Sequence, residues 1–308
     1  MTRRVLVLGG KGFIGRHAVA ALQKRELDHL AIGTRSQAPS NGPLQEHSVV
    51  LHERTTPEDW RELAQDFDVI LNCVGILRQV GRSTYDRVHH LAPKAIAKAC
   101  ETSGTTFIHV SALGLADGDR SRFLTSKRRG EQAIRQTKSN WVLVRPSLLD
   151  GEGGFGAAWL RGVSKLPVFA TPMDAQGQIA ALTAVDLGEA LASLCTTQPE
   201  AFSAEASRVY EFGGLETYSF EGYIRGLRRR YSNRRALAIP IPALLARLGA
   251  HLCDLFHFTP FSFGHWELLR KNNVPQPNRL PEVLGRDPEA VIKGRAAGGE
   301  LTRVRVGD

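Results

Sequence analysis

The sequence predicts an α/β protein: a doubly wound parallel sheet with a smaller α+β lobe at its C-terminal end. Three observations carry this. Short apolar runs alternate with helical patterns along the first half of the chain, the order that builds parallel strands covered on both faces. The first run, residues 5–8, breaks at glycines spaced Gly9, Gly12 and Gly15, and a helical pattern with Ile14, Ala18, Val19 and Leu22 on one face follows at once. From about Asp150 the chain changes character, opening on a glycine-rich loop.

Taken in order, residues 30–35 read as the second strand and 47–51 as the third, followed by a short helix over 60–65. Residues 68–75 form a fourth strand ending in a glycine turn. A helix over 85–102 leads to a fifth strand at 106–111, and a helix over 122–137 leads to a sixth at 141–145, which Pro146 stops. Residues 1–150 therefore form one Rossmann-type unit, with a return segment near 179–198. Residues 151–308 form the smaller lobe: the loop of Gly151, Gly153, Gly154 and Gly156, a return helix over 185–194, a strand over 208–212, and a basic helix with Arg225, Arg228, Arg229 and Arg230. The Gly- and charge-rich tail after residue 293 reads as frayed.

Composition narrows the function classes. At 308 residues, 42% hydrophobic and 23% charged, the chain has room for one large or two smaller domains of ordinary globular make-up. Its net charge of +9 suits anionic ligands or an acidic membrane surface. Nucleic acid is not expected, because no zinc-finger spacing or RNA-binding motif occurs. Cys73, Cys100, Cys195 and Cys253 form no C-x-x-C pair and read as free thiols in a reducing compartment. His89 and His90 are adjacent, so their side chains diverge, and no metal is expected. The apolar run after Arg3 and Arg4 is too short for a signal peptide, and nothing reads as a spanning helix. A cytoplasmic protein is expected, at most peripheral on the cytoplasmic face of the membrane.

Ligands of doubly wound sheets bind beyond the carboxyl ends of the strands, and there the candidate site residues fall. A strand–glycine–helix turn lets backbone N–H groups approach a pyrophosphate under the positive end of a helix dipole. This makes Gly9, Gly12, Phe13, Ile14 and Gly15 candidates for holding a dinucleotide. Lys11 does not make the turn a P-loop, because no Lys-Ser or Lys-Thr pair follows the last glycine. After the second strand, where an NAD-binding fold carries an acid for the ribose 2′-hydroxyl, stand Arg35 and Ser36. A guanidinium there pairs with a 2′-phosphate, so NADP(H) is expected in preference to NAD(H).

Further on, residues 107–114 (FIHVSALG), Lys127 with Gly130-Glu131, and residues 144–147 (VRPS) complete a pattern. With the stretch from Thr259-Pro260-Phe261 through residues 267–269 to Asn273-Val274, the chain resembles the atypical or extended short-chain dehydrogenase/reductases. Within that superfamily it is similar to the NAD(P)H-binding accessory subunit of respiratory complex I and its bacterial relatives, over almost the whole chain. The resemblance implies that Glu53 contacts adenine, that Asn72, Cys73, Val74 and Gly75 run along the adenosine and phosphates, and that Lys127 holds the nicotinamide ribose hydroxyls. Ser111, Pro146 and Ser147 complete the cleft.

One departure bears on chemistry. Active members of that superfamily carry Tyr four residues before the Lys, on the same helix face; here that residue is Phe123. Phenylalanine has no proton to give, and a positioned acid contributes about 10²–10⁴-fold in rate. On a helix Thr125 lies about 200° and Ser126 about 100° from Lys127, so neither recreates the geometry. No Tyr lies between Ser111 and Lys127, although Ser111 can bind a carbonyl oxygen and Tyr85 or Tyr218 could reach in from elsewhere. Two functions follow: a nucleotide-bound accessory protein near respiratory or quinone-related machinery, or an NADPH-dependent oxidoreductase or epimerase acting on an apolar molecule such as a quinone or isoprenoid precursor. A transcriptional or redox-sensing binder is a third, without a specific feature in its favour. Finally, residues 243–258 place Leu244, Leu245, Leu248, Leu252, Leu255 and Phe256 on one helical stripe. Such a stripe packs on the domain's own core, or docks on a protein partner or membrane surface beside the basic run 225–235.

Overall fold

The structure, a computed structural model, describes residues 2–35, 43–230, 232, 234–256 and 262–292. Its first half alternates β1 (Arg4–Leu8), α1 (Phe13–Leu22), β2 (His29–Thr34), β3 (Gln45–Ser48), α2 (Arg61–Asp66), β4 (Val69–Asn72), α3 (Ala92–Ser103), β5 (Thr106–Val110), α4 (Arg122–Arg135) and β6 (Asn140–Pro146). The second half runs β7 (Leu149–Asp150), α5 (Phe155–Lys165), β8 (Val168–Pro172), β9 (Gln178–Ile179), β10 (Leu182–Thr183), α6 (Ala184–Thr196), β11 (Val209–Phe212) and β12 (Tyr218–Ser219). It continues with α7 (Phe220–Arg228), β13 (Leu237–Ile241), α8 (Ala243–Phe256), α9 (Phe263–Leu269) and α10 (Leu280–Leu284).

Seven strands form one parallel sheet in the order β11-β6-β5-β4-β1-β2-β3. The chain leaves β1 in one direction to β2 and β3, and in the other to β4 and beyond. This reversal opens a crevice outside the carboxyl ends of β1 and β4. Side chains alternate across the sheet, as the two-residue strand period requires. Val5, Val7, Val69, Leu71, Ile108, Val142 and Val144 pack into one layer with residues of α1 and α6. Leu6, Leu8, Ile70, Phe107, Trp141 and Leu143 pack into the opposite layer with Trp60 and residues of α2 and α3. The smaller lobe has its own core, built from Leu160 of α5, Phe169 of β8, Tyr223, Ile224 and Leu227 of α7, and Val291 and Ile292.

Several expectations are corrected. The strand expected in the smaller lobe at 208–212 is the edge strand of the main sheet: β11 pairs along β6 from Val209 opposite Leu143 to Phe212 opposite Pro146. The third strand occupies Gln45–Ser48, because Val49 and Leu51 turn inward and are buried beside Trp60 instead of extending the ladder. The helix expected from Tyr85 is wound through Arg87–Leu91 as a π-helical turn before α3 begins. The short helix near residue 60 starts with a 3₁₀ turn at Pro57–Trp60, held by a capping box between Thr56 and Asp59. The leucine stripe of α8 does not pack on the core; the exposures of Leu244, Leu245, Leu248, Leu252 and Leu255 run from 46% to 75%. Ser36, Thr259, Pro260, Phe261 and the tail after residue 293 lie outside the described residues.

Candidate functional site

The site is built from the carboxyl ends of β1, β4, β5 and β6 and from the first two turns of α4. Gly9 holds φ of +74°, a conformation that favours glycine, and its N–H donates to Gly33 O at 2.9 Å, which fixes the turn to β2. The helix begins so close behind the turn that a Cβ on Gly15 would stand 2.1 Å from Gly9 O. The first turn of α1 has no side-chain cap, which leaves its N-terminal end to a ligand. Val74 lies against this turn, with its N–H donating to Asn72 Oδ1 at 3.0 Å, and the Cys73 N–H donates to Leu8 O at 3.1 Å. The glycine turn and residues 72–74 are thus fastened to each other.

The loop after β7 reaches the same place. Arg16 of α1 stacks its guanidinium 5.8 Å from the Phe13 ring centroid and donates to Glu152 O. At the far end of the crevice, Arg35 is exposed just past β2. Lys11 pairs with Glu46 of β3 at 2.7 Å, and the Thr34 hydroxyl donates to the same carboxylate at 3.4 Å. Neither Lys11 nor Glu46 was marked by the sequence as a site pair, since only the β2–β3 register (Ile32 opposite Glu46) brings them together. Glu53 stands in the turn after β3, exposed, with its carboxylate 4.0 Å from His52 Nε2.

The centre of the site is a buried cluster around α4. Lys127 Nζ lies 5.7 Å from the Phe123 ring centroid, the geometry expected of residues four apart on one helix face. Among the described residues this ammonium makes no hydrogen bond. Burial pushes it down to about 8, with the Glu131 carboxylate pulling the other way. The Ser111 hydroxyl, at the end of β5, is buried without a hydrogen-bond partner. Gly75 faces both Lys127 Nζ and His89 Nε2, which lie 4.0 and 3.8 Å from where a Cβ would stand.

Phe123 is enclosed by rings: His89 at 5.5 Å, Tyr85 at 5.7 Å and His265 of α9 at 6.0 Å between centroids. Each neighbour is committed elsewhere. The Tyr85 hydroxyl donates to Leu77 O at 2.8 Å, and burial pushes the phenol above its ordinary value. His89 Nε2 accepts from the Ile76 N–H at 3.1 Å, so Nδ1 carries the proton and donates to Ser126 Oγ at 3.0 Å; burial, then Lys127, hold the ring well below the ordinary histidine value. His109 Nδ1 accepts from Asn72 Nδ2 at 3.1 Å, and burial drives it down to about 3. Tyr218 lies in the smaller lobe with its hydroxyl on Glu216. The π turn explains Gly130: a Cβ there would stand 1.9 Å from His89 O, so only glycine lets α4 approach the turn that carries His89.

Pro146 ends β6, and Ser147 does not present its hydroxyl to the crevice. That hydroxyl lies 2.6 Å from both the O and Oδ1 of Asn273, while Asn273 Nδ2 donates to Leu113 O at 3.0 Å. The two segments at 147 and 273 are therefore a clasp between the sheet and the distal lobe. The nearby ion pairs of Arg145 with Glu131 (Nε to Oε1, 3.1 Å) and Glu211 (3.3 Å) fasten α4 to β6 and β11. Sequence reasoning passed over His109 and His265, which carry no spacing signal.

The uncapped helix start, the orphaned Ser111 hydroxyl and the unbonded Lys127 ammonium fit a dinucleotide laid across the strand ends. Comparison with known proteins agrees with a nicotinamide dinucleotide as the ligand. Residues 9–164 match the family model described as NAD(P)H-binding. The chain is 26% identical over 242 residues to the ceramide reductase of Caulobacter vibrioides, covering 78% of this chain and 75% of that one. It is 24% identical over 262 residues to the mitochondrial NADH dehydrogenase [ubiquinone] 1 alpha subcomplex subunit 9 of Dictyostelium discoideum, covering 82% and 71%. Its fold is similar to that of the NADPH-dependent quinone oxidoreductase of Escherichia coli solved with NADPH, with a TM-score of 0.68 at 14% identity over 93% of this chain and 96% of that one.

Proposed function

We propose, for a chain that belongs to the NAD(P)H-binding family, that it holds NADP(H) as a resident ligand and turns substrate over slowly or not at all. The observation that carries this reading is Phe123 under the Lys127 ammonium, where a proton-donating phenol would otherwise stand. When bound, the dinucleotide supplies a hydride; the chain's residues supply the rest. The α1 amides take the pyrophosphate, Lys127 donates to ribose hydroxyls, and the Ser111 hydroxyl is available to a carbonyl oxygen. Arg35 supports the 2′-phosphate, with Lys11 neutralising the Glu46 carboxylate beside it. What the cluster lacks is a tyrosine acid: Tyr85 is bonded to a backbone carbonyl, and His89 is neutral with both nitrogens engaged. A missing general acid lowers the rate by about 10²–10⁴-fold.

Such a protein acts through its bound nucleotide as an accessory or scaffold near respiratory or quinone-related machinery, and the complex I subunit among its relatives supports that setting. The smaller lobe is then the surface for a protein or membrane-surface partner, with the chain peripheral on the cytoplasmic face. Among the described residues no helix is long and apolar enough to cross a membrane.

One observation favours a second reading. Lys127, held down to about 8, is itself a proton donor poised near neutral pH. With it the chain would be an NADPH-dependent oxidoreductase for an apolar molecule, a class to which the names of its reductase relatives point. Absorbance of NADPH mixed with a quinone and carbonyl panel separates the two. The first reading expects negligible turnover by wild type and a gain of about 10²-fold or more in Phe123→Tyr. Robust wild-type turnover that falls as pH rises through about 8 supports the second.

A further inference from the structure

The helix α8 is amphipathic the wrong way round for a helix that packs by its leucines. Its small residues, Ala246 and Ala250, are buried against Phe263 and Trp266 of α9. Its leucines face out: at about 100° per residue, Leu244, Leu255, Leu248, Leu252 and Leu245 fall within a single sector about 100° wide on the opposite side. The segment leading into the helix continues the surface, with Leu237 and Ile239 of β13 at 63% and 45% exposure. An apolar face of this extent marks an interaction site.

Beside it lies a cavity of about 750 Å³, between α8, α9 and the loop near residue 118. Leu244 and Trp266 line it together with four cations, Arg120, Arg247, Arg270 and Lys271. Two of these are neutralised: Arg270 lies 3.0 Å from Asp174 and Lys271 bonds Asp119. The Glu267 carboxylate in the cavity wall is occupied by the N–H groups of Arg120 at 3.0 Å and Ser121 at 2.7 Å. Arg120 and Arg247 have no ion-pair partner among the described residues, and Arg247 stands one step round the helix from the leucine sector. The cavity therefore presents two available guanidiniums at the edge of an exposed apolar face.

We propose that this face seats on an anionic lipid bilayer, with the α8 leucines entering the acyl boundary and Arg120 and Arg247 taking a lipid phosphate at the mouth of the cavity. The proposal rests on the partner surface assigned above to the smaller lobe, and names its partner and its anchor. Charge complementarity selects the occupant: leucines flanked by guanidiniums that have no ion-pair partner among the described residues match acyl chains below a layer of phosphates, where each basic residue adds attraction.

The test is flotation of the full chain at low salt with vesicles of phosphatidylcholine alone and of phosphatidylcholine mixed with phosphatidylglycerol. Wild type is expected to float with the mixed vesicles and to stay in the load with phosphatidylcholine. Arg120→Glu/Arg247→Glu is expected to bind the mixed vesicles roughly thirtyfold or more weakly, and Leu244→Ser/Leu248→Ser to lose them. Both variants are expected to keep the wild-type melting temperature and NADPH affinity, which separates loss of the lipid surface from loss of the nucleotide site. Wild type that ignores phosphatidylglycerol overturns the proposal, as does equal flotation with either vesicle. So does a dimer in solution that Leu244→Ser/Leu248→Ser dissociates, because the face would then belong to a second copy.

Discussion

Replacing Lys127 by Met tests whether a buried charge is kept for binding at the expense of the fold. The ordinary lysine value of 10.5 falls to about 8 here. At about 1.4 kcal/mol for each tenfold change, holding this ammonium in the folded protein at neutral pH costs about 3 kcal/mol. Losing the contact with the Phe123 ring gives back about 0.5–1 kcal/mol. Lys127→Met, which fills nearly the same volume without the charge, should therefore stabilise the ligand-free protein by about 2 kcal/mol, or roughly 4 °C in melting temperature. The sign carries a pH signature. The folded state binds this proton less tightly than the unfolded chain does. The penalty is therefore full below pH 8 and fades between 8 and 10.5, so the advantage of the variant narrows over that window. The same substitution removes charge-assisted hydrogen bonds to the ribose, worth about 1.5–3 kcal/mol, so NADPH should bind about 10–100-fold more weakly. Thermal melts at several pH values and NADPH fluorescence titrations measure both. A variant that melts lower than wild type and binds NADPH unchanged would refute the reasoning and make Lys127 a structural charge.

Three further outcomes are expected. Arg35→Asp should reverse the nucleotide preference, from tighter NADPH in wild type to tighter NADH, in paired titrations; equal wild-type affinities would remove Arg35 from the account. Gly130→Ala should destabilise the protein by about 1–3 kcal/mol or more and weaken NADPH binding together with stability, because the added methyl meets His89 O at 1.9 Å; a neutral variant would show that α4 can back away from the π turn without consequence. Binding of NADPH should take up protons between pH 8 and 9, since the nucleotide's anionic groups re-protonate a Lys127 that burial holds near 8. Calorimetry in buffers of different ionisation enthalpy reads this directly, and binding with no linked proton would contradict it.

The parts of this protein that are legible in its sequence are those set by local rules. The apolar runs and glycine spacing place β1, its turn and α1, because a two-residue period and a Cβ-free turn are local properties. The four-residue spacing of Phe123 and Lys127 likewise sets their shared face, since residues so spaced lie one above the other on any α-helix. What is not legible depends on partners distant in sequence. Residues 209–212 carry no mark that they pair with β6 in the main sheet rather than in the smaller lobe. Ser147 sits at a strand end where ligands bind, yet Asn273 claims its hydroxyl. The leucines of α8 announce an apolar face but not which side of the helix meets the protein, and there the small alanines win. The π turn at Arg87–Leu91, which fixes His89 and explains Gly130, has no sequence signature at all.

The central claim is that the cleft grips a nicotinamide dinucleotide beside Lys127 and Ser111 with no tyrosine hydroxyl at hand. A crystal structure of the NADPH complex measures this most directly. The account predicts the ribose hydroxyls on Lys127 Nζ, the nicotinamide over Phe123, and Tyr85 still donating to Leu77 O. A nucleotide seated elsewhere, or a tyrosine hydroxyl turned to face the nicotinamide C4, would contradict it.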